Sequence, residues 1–485
     1  MKTTPRRTRA CVLLALSALL AGCAAPVVPP DAAAAPADAE EWLSVSSPAR
    51  GELAPEHFGA EVPRFRATRL PATAFEPTIS LDASGVAYFA GSRTGLDQPA
   101  GPGRLVANEG LLLRSGDGGL TWTDVTPRLA GRNPHGPSFD PYVHVDARTG
   151  RVFMVDLTIA CHVLSYSDDA GATWAHNPLA CGAPVNDHQT VFSGAPPAIL
   201  PMLAYPSVLY ICSNQLAVGA TLMCTTSFDG GRTFRPATVV AAETEGDSRF
   251  TPGATCGGLA HGHGRVGPDG TAYLPRVYCD VALLHVSRDG GITWREIVVD
   301  KRHGGSPSED DNHESRIAID AAGNVYYFWI GKDWRPRLSV SRDGGATWST
   351  PVDVAPARIG AARLPAIAAG SEGRIAFLYL ANTTEAPGEW HAYVGVSVDA
   401  LAQDPLVATV RATQTLLGRD ACLEECERIG DFLDIAVSPL DGGIWVALAD
   451  PCADACETLP PEGAAWGPVA VQARGVALAA GQARG

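Results

Sequence analysis

The 485-residue sequence lacks the short motifs of several common enzyme classes. It has no G-x-x-x-x-G-K-[S/T] phosphate loop, no G-x-S-x-G nucleophile elbow and no H-E-x-x-H zinc motif. P-loop nucleotide hydrolases, α/β-hydrolases and zincin proteases are therefore disfavoured. Basic residues are also scarce, because 37 Lys and Arg face 52 Asp and Glu. A net negative surface repels phosphate backbones, so we expect no nucleic-acid partner.

The first 22 residues have the pattern of a bacterial lipoprotein signal peptide. Four positive charges precede the apolar run CVLLALSALL, and Leu-Ala-Gly leads directly into Cys23. The run is too short for a transmembrane helix, and small residues before a cysteine are what lipoprotein processing needs. An ordinary secretory signal followed by a chance cysteine is the alternative. We predict that residues 1–22 are removed and that a lipid on Cys23 anchors the exported chain in the cell envelope, on a membrane that the sequence leaves open.

The mature chain is predicted to begin with a tether and to continue as one domain. The 37 basic residues less the four of the signal leave 33 against 52 acidic residues, a net charge of −19. Residues 23–41 are mostly Ala and Pro and predict a flexible tether. No second linker interrupts residues 42–485, which we therefore interpret as a single domain and expect to be a monomer.

Five copies of the pattern S-x-D-x-G-x-T-[W/F] organise this domain. They lie at Ser115–Trp122, Ser167–Trp174, Ser227–Phe234, Ser287–Trp294 and Ser341–Trp348. The Asp side chain can accept hydrogen bonds from nearby backbone N–H groups, and the glycine two positions later permits a positive φ. Since an alternating apolar segment precedes each copy, each copy predicts a tight turn between two β-strands.

The spacing of the repeats predicts the fold. The turn aspartates are Asp117, Asp169, Asp229, Asp289 and Asp343, which lie 52, 60, 60 and 54 positions apart. This period is longer than a hairpin needs and suits a four-stranded blade with a long loop. The sequence therefore predicts an all-β fold, a β-propeller built by radial repetition of blades.

The repeated pattern resembles the Asp box, or bacterial neuraminidase repeat, of the sialidase-like propeller superfamily. In that superfamily the box lies between the third and fourth strands of a blade, away from the active face, so the resemblance implies a structural role for the five aspartates. Sialidases, other glycoside hydrolases, sortilin-type receptors and photosystem assembly factors carry such boxes. The fold alone therefore does not assign the chemistry.

A second, fainter repeat marks the start of each blade as an acid before a short strand. Its members begin at Glu76, Asp140, Asp187 and Glu314, with His261 in the same position of the fourth blade. Two more starts, near Arg363 and Gly430, lack a good box, and the sixth box has decayed to Ser397-Val-Asp399. These starts predict seven blades, or six if the ends only complete other blades. We expect strands from both termini to close the ring, with Trp42–Ser46 beside Val469–Ala473.

Cysteine content indicates an oxidising compartment. Twelve cysteines, less Cys11 in the signal and Cys23 at the lipid site, leave an even ten, which predicts five disulfides. The blade assignment suggests the pairs Cys161–Cys181, Cys212–Cys224 and Cys256–Cys279. The other four are Cys422, Cys426, Cys452 and Cys456, whose x3 spacings also suit a zinc site as the alternative to disulfides.

The candidate site is the set of residues that open the inner strands, because the first strand of each blade lines the channel in propellers of this kind. Together with close neighbours it comprises Glu76, Asp140, Asp187, His188, His261, His263, Glu314 and Arg363. Paired carboxylates suit glycoside hydrolysis, and carboxylates with histidines suit Ca²⁺ or another divalent cation, although the sequence requires no cofactor. The structural alternative is that these acids cap loops by accepting backbone N–H bonds.

The motif His261-Gly-His263 is the one uncommon local constellation in this set. On a strand, alternate residues share a face, so both rings are predicted to point the same way. A metal site and simple loop packing are the two interpretations of this pair.

True sialidase activity is disfavoured by the residue at position 76. The resemblance implies an arginine anchor in an F/Y-R-I-P motif, whereas this chain has Phe75-Glu76-Pro77-Thr78, an acid in place of the arginine. Two hypotheses remain, and we favour the first. The first is an exported propeller that binds a glycan or protein ligand on its funnel face. The second is a sialidase-like glycoside hydrolase that uses inner-ring carboxylates, so whether the chain is an enzyme stays open.

Overall fold

Each repeat of the sequence corresponds to one antiparallel β-sheet in the computed structural model. Seven sheets are present, so the predicted all-β, seven-bladed propeller is confirmed. The structure describes residues 42–93, 109–129, 139–157, 162–177, 180, 186–215, 221–242, 261–278, 281–301, 315–413, 417–419, 430–431, 433–450 and 466–479. Contacts divide the chain into Met1–Glu41 and Trp42–Gly485, and every element named below belongs to the second unit.

The strands are named in chain order. The first fifteen are β1 (Leu43–Ser47), β2 (Gly51–Leu53), β3 (Arg64–Thr73), β4 (Phe75–Leu81), β5 (Ala87–Arg93), β6 (Glu109–Ser115), β7 (Thr123–Asp124), β8 (Phe139–Val145), β9 (Val152–Leu157), β10 (His162–Ser167), β11 (Ala175–Asn177), β12 (Asn186–Gly194), β13 (Val208–Gln215), β14 (Thr221–Ser227) and β15 (Thr238–Ala241). The others are β16 (Arg265–Val266), β17 (Ala272–Tyr278), β18 (Val281–Ser287), β19 (Arg295–Asp300), β20 (Arg316–Ile319), β21 (Val325–Ile330), β22 (Pro336–Ser341), β23 (Val352–Asp353), β24 (Ile359–Ala369), β25 (Ile375–Thr383), β26 (Glu389–Ser397), β27 (Val407–Arg411), β28 (Gly418–Arg419), β29 (Asp434–Val437), β30 (Ile444–Ala447) and β31 (Trp466–Arg474). A single 3-10 turn, Pro55–Phe58, joins β2 to β3.

Blades 1 to 5 follow the chain directly, each with its first strand on the inside. They consist of β4–β7, β8–β11, β12–β15, β16–β19 and β20–β23. Blade 6 is larger, because β1 and β2 extend the sheet of β24–β27 and β28 pairs with β26. Blade 7 combines β29, β30 and β31 with β3 as its outer strand. Within the part of the chain that the structure describes, no helix is long and apolar enough to cross a membrane.

Both termini do contribute to the sheets, but the predicted pairing of Trp42–Ser46 with Val469–Ala473 is wrong. Strand β1 lies against β27, with Val45 opposite Ala408, and β31 pairs with β3. The physical reason is the side chain that precedes β1. Trp42 packs edge-on against Tyr393 of blade 6 with ring centroids 4.7 Å apart, so the core of blade 6 holds this segment.

The core lies between adjacent blades, where the face of one sheet packs on the next. Between blades 7 and 1, for example, Ile79 and Phe89 meet Trp445 and Val471. The aromatic residue of each repeated turn joins the cluster between its own blade and the preceding one. These residues are Trp122, Trp174, Phe234, Trp294 and Trp348. Each blade is thus stabilised mainly by its neighbours.

The repeated turns connect the third and fourth strands of blades 1 to 5. In the fifth, Asp343 accepts hydrogen bonds from the Thr347 N–H (2.8 Å), the Thr347 hydroxyl (2.6 Å) and the Ser341 hydroxyl (2.8 Å). The Ser341 oxygen in turn accepts the N–H of Gly345, whose φ is 88°. Hydrogen bonds from Thr347, then from Ser341, hold the pKa of Asp343 at about 2. Every oxygen of this carboxylate is therefore engaged inside the turn.

One of the predicted disulfides lies within the described residues and is confirmed. Cys212 of β13 stands directly opposite Cys224 of β14, and their sulfur atoms are bonded. The other eight predicted cysteines lie outside the described residues: Cys161, Cys181, Cys256, Cys279, Cys422, Cys426, Cys452 and Cys456.

Candidate functional site

A one-residue bulge recurs near the beginning of the inner strand in four blades. In β4, Glu76 and Pro77 together stand opposite a single residue of β5, and the same shift occurs in β8, β12 and β24. The first bulge residue has a positive φ in each case: Glu76 51°, Asp140 46°, His188 53° and Leu364 50°. This conformation costs a non-glycine residue on the order of 1–2 kcal/mol, and a bulge changes the direction of its side chain. Four blades therefore carry the same strained position beside the channel.

The bulge shows that the predicted register of blade 3 is wrong by one residue. Asp187 was expected to match Glu76 and Asp140, but it pairs with Asn214 before the bulge, and His188 occupies the matching position. The physical reason is that the extra residue of the bulge is His188, which shifts the register of the strand by one position. In blade 4, His261 forms an isolated bridge with Arg276 ahead of the inner strand β16.

Glu76 and Asp140 form a buried carboxyl pair at the channel mouth, where each side chain is 7% exposed. Burial, followed by the charge of the adjacent Asp140 and a hydrogen bond to it, raises the pKa of Glu76 well above its ordinary value of 4.5. Burial also raises the pKa of Asp140, while the hydrogen bond from Glu76 and the charge of His188 oppose that rise. Glu76 therefore stays protonated to a higher pH than an ordinary glutamic acid does.

Two imidazoles and a third carboxylate complete the mouth. The rings of His188 and His261 meet edge to face with centroids 5.5 Å apart, and His188 Nδ1 lies 3.7 Å from Asp431 Oδ2. Burial, then the charge of His188, places the pKa of His261 well below its ordinary value of 6.5, so this ring is neutral. Its Nδ1 donates to the carbonyl oxygen of Gly262 at 3.0 Å. We call Glu76, Asp140, His188, His261 and Asp431 the mouth cluster.

The Asp431 side chain links the mouth cluster to solvent. It is 68% exposed, whereas His188 beside it is 5% exposed. The Asp431 N–H donates to Glu76 Oε1 at 3.4 Å, and its negative charge contributes to the raised pKa of Glu76. The mouth cluster therefore has a solvent-facing carboxylate above an inner carboxyl pair.

The residues just below the mouth cluster have a structural role. Each inner strand has an edge that faces the channel and is not paired with another strand. Side chains of the preceding blade accept hydrogen bonds from the backbone N–H groups of this edge. Thr78 accepts from Val143 (3.0 Å), Thr190 from Gly264 (3.1 Å) and Asp434 from Ile79 (3.0 Å). These contacts tie each inner strand to the next.

His263 belongs to this lower layer and not to the mouth cluster. Its Nδ1 lies 3.7 Å from Asp434 Oδ1, and its ring meets Tyr142 with centroids 4.7 Å apart. The pair His261 and His263 is thus divided between two layers. Beyond this layer, a cavity of about 320 Å³ is bounded by His144, Arg265 and Asp434 together with apolar side chains.

The remaining predicted site residues lie elsewhere or outside the described part of the chain. Arg363 packs over Trp334 and Trp390, with its guanidinium carbon 4.7 and 5.4 Å from the ring centroids. Glu314 is outside the described residues. Among the described residues, no group of three or more His, Cys, Asp or Glu side chains has the spacing of a metal site.

Sequence reasoning did not place Asp434 at the candidate site, and it included Asp431 only as a neighbour of the residues that open the inner strands. Both follow Gly430 in the segment that starts blade 7. Asp434 pairs with Ala447 of the second strand, as Thr78 of blade 1 pairs with Ala90, so it occupies the strand position that faces the next blade. Gln189, the residue after His188, is a second site residue that the sequence could have indicated. Its side-chain amide donates to the backbone carbonyl of Asp140 and thereby joins blades 2 and 3.

Neither a family model nor a curated protein matches the sequence. Solved structures do resemble the fold. A protein of unknown function from Dyadobacter fermentans is 14% identical with a TM-score of 0.45, over 85% of this chain and 100% of that one. The intramolecular trans-sialidase from Ruminococcus gnavus is 14% identical with a TM-score of 0.40, over 82% and 94%. The Aleuria aurantia lectin is 10% identical with a TM-score of 0.41, over 66% and 91%. At these values the resemblances assign no function, and the chain is similar to propellers of more than one activity.

Proposed function

We propose that this protein is an exported, lipid-anchored propeller that binds a glycan at the mouth cluster. The observation that carries the proposal is the repeated bulge, which turns Glu76, Asp140 and His188 toward one place at the cost of backbone strain in each blade. Strain of this kind is retained where the surrounding structure enforces it, commonly at binding sites. An unstrained residue such as Asn or Gly would serve a purely structural bulge at lower cost.

The hydrogen-bonding capacity of the mouth cluster matches sugar hydroxyl groups. A hydroxyl both donates and accepts, so it needs a site that offers both functions. Asp140 and Asp431 supply acceptor oxygens, and the raised pKa of Glu76 favours its protonated, donating form. The neutral His261 supplies an acceptor at Nε2, because its Nδ1 already donates to Gly262. The exposed Asp431 carboxylate gives a ligand its first point of contact.

The geometry favours binding over glycoside hydrolysis by the inner pair. Hydrolysis of glycosides requires two carboxyl groups about 5 to 9 Å apart, so that a sugar, or a sugar and a water molecule, fits between them. Glu76 and Asp140 are instead direct neighbours that shift each other's pKa, which leaves little space between them for a glycosidic bond.

The test compares mouth variants with a matched neighbour on an array of neutral and acidic oligosaccharides. The variants Glu76→Gln, Asp140→Asn and His261→Asn should each weaken glycan binding about tenfold, since each removes one hydrogen bond to a charged or buried group. Asp187→Asn is the control, because Asp187 precedes the bulge residue and should leave affinity unchanged.

Three results would contradict the proposal. One is an array without any binding, and another is an equal loss in the Asp187→Asn control. The third is capture of a protein ligand that competes with no glycan, which would favour the protein-binding alternative. Release of reducing sugar that Glu76→Gln abolishes would instead restore the hydrolase hypothesis.

The proposed anchor has a separate test. Replacing Cys23 by Ser removes the predicted lipid site, so the protein should move from the membrane fraction to the soluble fraction. Retention of the Cys23→Ser protein in membranes would contradict the lipoprotein part of the proposal.

A further inference from the structure

The junction between blades 5 and 6 lacks the aromatic residue that five other junctions contain. At those five, the last residue of the repeated turn packs between its blade and the preceding one. At the junction of blades 6 and 7, Leu478 enters the core, and its carbonyl accepts the Ser371 N–H at 2.9 Å. Blade 6 has Asp404 seven positions after Ser397, where blades 1 to 5 have Trp or Phe.

Asp404 points away from the junction because other groups hold it. Its carboxylate accepts hydrogen bonds from the Ala49 N–H (2.8 Å), the Ser47 hydroxyl (3.0 Å) and Arg50 Nε (3.0 Å). These three residues lie at the end of β1 and in the turn that leads to β2, a hairpin that extends the sheet of blade 6. The extra hairpin thus fixes the residue that replaces the aromatic ring.

A cavity of about 600 Å³ occupies this junction, and we call it the blade-gap cavity. This volume falls within the range typical of small-molecule sites. Its apolar surface comes from one side of the Trp348 ring and from aliphatic residues: Leu338, Val340, Val352, Ala400, Leu401, Ala402 and Pro405. Its polar rim consists of Arg342, Thr347, Ser349, Thr350 and Gln403. All of these residues lie within the described part of the chain.

The charge of the blade-gap cavity is positive. Arg342 is the only charged side chain among its lining residues, and none of them is an acid. The Arg342 Nη2 group donates to the carbonyl oxygen of Leu401, which leaves other N–H groups of the guanidinium for a ligand. Arg288 holds the matching position in blade 4 and donates to Gly344 at 3.1 Å, but Trp348 fills that junction.

We propose that the blade-gap cavity binds a small aromatic carboxylate. The ring occupies the place that an indole or phenyl ring fills at the other junctions, and the carboxylate pairs with Arg342. The third strand of a blade runs parallel to the first, so the repeated turns lie at the end of the ring opposite the mouth cluster. The blade-gap cavity is therefore independent of the proposed glycan site.

The test measures binding of three indoles that differ in charge, by ligand-observed NMR on the full-length exported protein. Indole-3-acetate should bind with a Kd of roughly 1 mM or below, the affinity that a well-fitted ligand of its size reaches. The neutral 3-methylindole should bind more weakly, and the cationic tryptamine most weakly. Arg342→Gln should weaken indole-3-acetate about fivefold and leave 3-methylindole unchanged. Arg288→Gln is the matched control and should change neither.

Filling the blade-gap cavity is the second arm. Leu401→Trp should abolish binding of all three indoles, and Ala402→Trp should do the same if the first variant does not fold. Absence of binding in the parent at 10-fold the expected Kd overturns the proposal. So does binding that persists in both folded tryptophan variants. Equal affinities for tryptamine and indole-3-acetate overturn the assignment of the ligand as a carboxylate.

Discussion

The carboxylates at the two ends of the ring, the end with the repeated turns and the end with the mouth cluster, lie in opposite environments. At the end with the repeated turns, an aspartate such as Asp343 accepts hydrogen bonds from residues within its own turn, and glycines adopt the positive φ. At the mouth, Glu76, Asp140 and His188 adopt a positive φ without being glycine, and two carboxyl groups are buried together. The repeated turns therefore carry little backbone strain and no buried carboxyl pair, whereas the mouth carries both strain and a buried carboxyl pair. This contrast is the reason to assign stability to one end and ligand binding to the other.

The largest expected effect comes from removing the disulfide, which lies beside the mouth end of blade 3. Cys212 is also the residue opposite Thr190, two positions after the strained His188. A bond that closes 12 residues restricts the unfolded chain, so the double variant Cys212→Ala, Cys224→Ala should lose about 3 kcal/mol of unfolding free energy. Chemical denaturation measures this loss. In this double variant, backbone hydrogen exchange should become faster in β12–β14 and not in the turn of Asp229. A uniform increase across blade 3 would contradict the idea that the disulfide stabilises mainly the mouth end.

A smaller effect is expected at the turn end. Asp229 accepts hydrogen bonds from the Thr233 N–H (2.9 Å), the Thr233 hydroxyl (2.6 Å) and the Ser227 hydroxyl (2.8 Å). Asp229→Ala should therefore cost about 1–2 kcal/mol, comparable to the loss of a helix cap, while glycan affinity stays constant. Asp399→Ala in the decayed turn of blade 6 is the control and should cost less. If Asp229→Ala lost glycan binding at unchanged stability, the ligand site would lie at the turn end and not at the mouth.

The smallest effect is a difference in pH dependence between the ends. The folded-state pKa of Glu76 is raised, so its contribution to stability is complete below about 4.5 and is lost as the pH rises through the raised pKa. The pKa of Asp343 is lowered from 3.8 to about 2, so its contribution is present above 3.8 and is lost as the pH falls toward 2. Glu76→Gln should therefore raise the Tm by about 1–2 °C at pH 8 and not at pH 4.

The matched control for the pH experiment is Asp343→Asn. It should flatten the loss of Tm between pH 4 and pH 2 and leave the alkaline side unchanged. If both variants changed the same side of the profile, the opposite pKa directions at the two ends would be wrong.

The fold was predictable because its signals are local. Asp, Gly and Thr within eight residues determine each repeated turn through their own hydrogen bonds, and the interval between turns determines the blade. The positions of β1 and β3 were not predictable in this way. They depend on which sheet edge accepts each strand, and a distant side chain, Tyr393, holds the residue before β1.

The residues of the mouth cluster were predictable only where the neighbouring sequence indicates the bulge. Pro77, Pro141 and Pro365 follow the bulge residue in three blades, and two of those bulge residues are the predicted acids Glu76 and Asp140. In blade 3, His188 is followed by Gln189, so the sequence did not reveal the extra residue and the alignment moved to Asp187. Contacts between blades, such as that of Asp434 with the Ile79 N–H, join positions far apart in sequence and leave no periodic pattern.

The closure of blade 7 has a consequence for the order of folding. Strand β3 (Arg64–Thr73) is made before blade 1, but its partner β31 (Trp466–Arg474) is made only after the strands of blades 1 to 6. Contacts of such long sequence separation form slowly because the intervening chain must first be confined. Blades 1 to 5 consist of consecutive strands and can assemble as the chain emerges. Strand β3 must therefore wait with an unpaired edge until β31 has been made, and that edge is the point at which a folding helper would protect this protein.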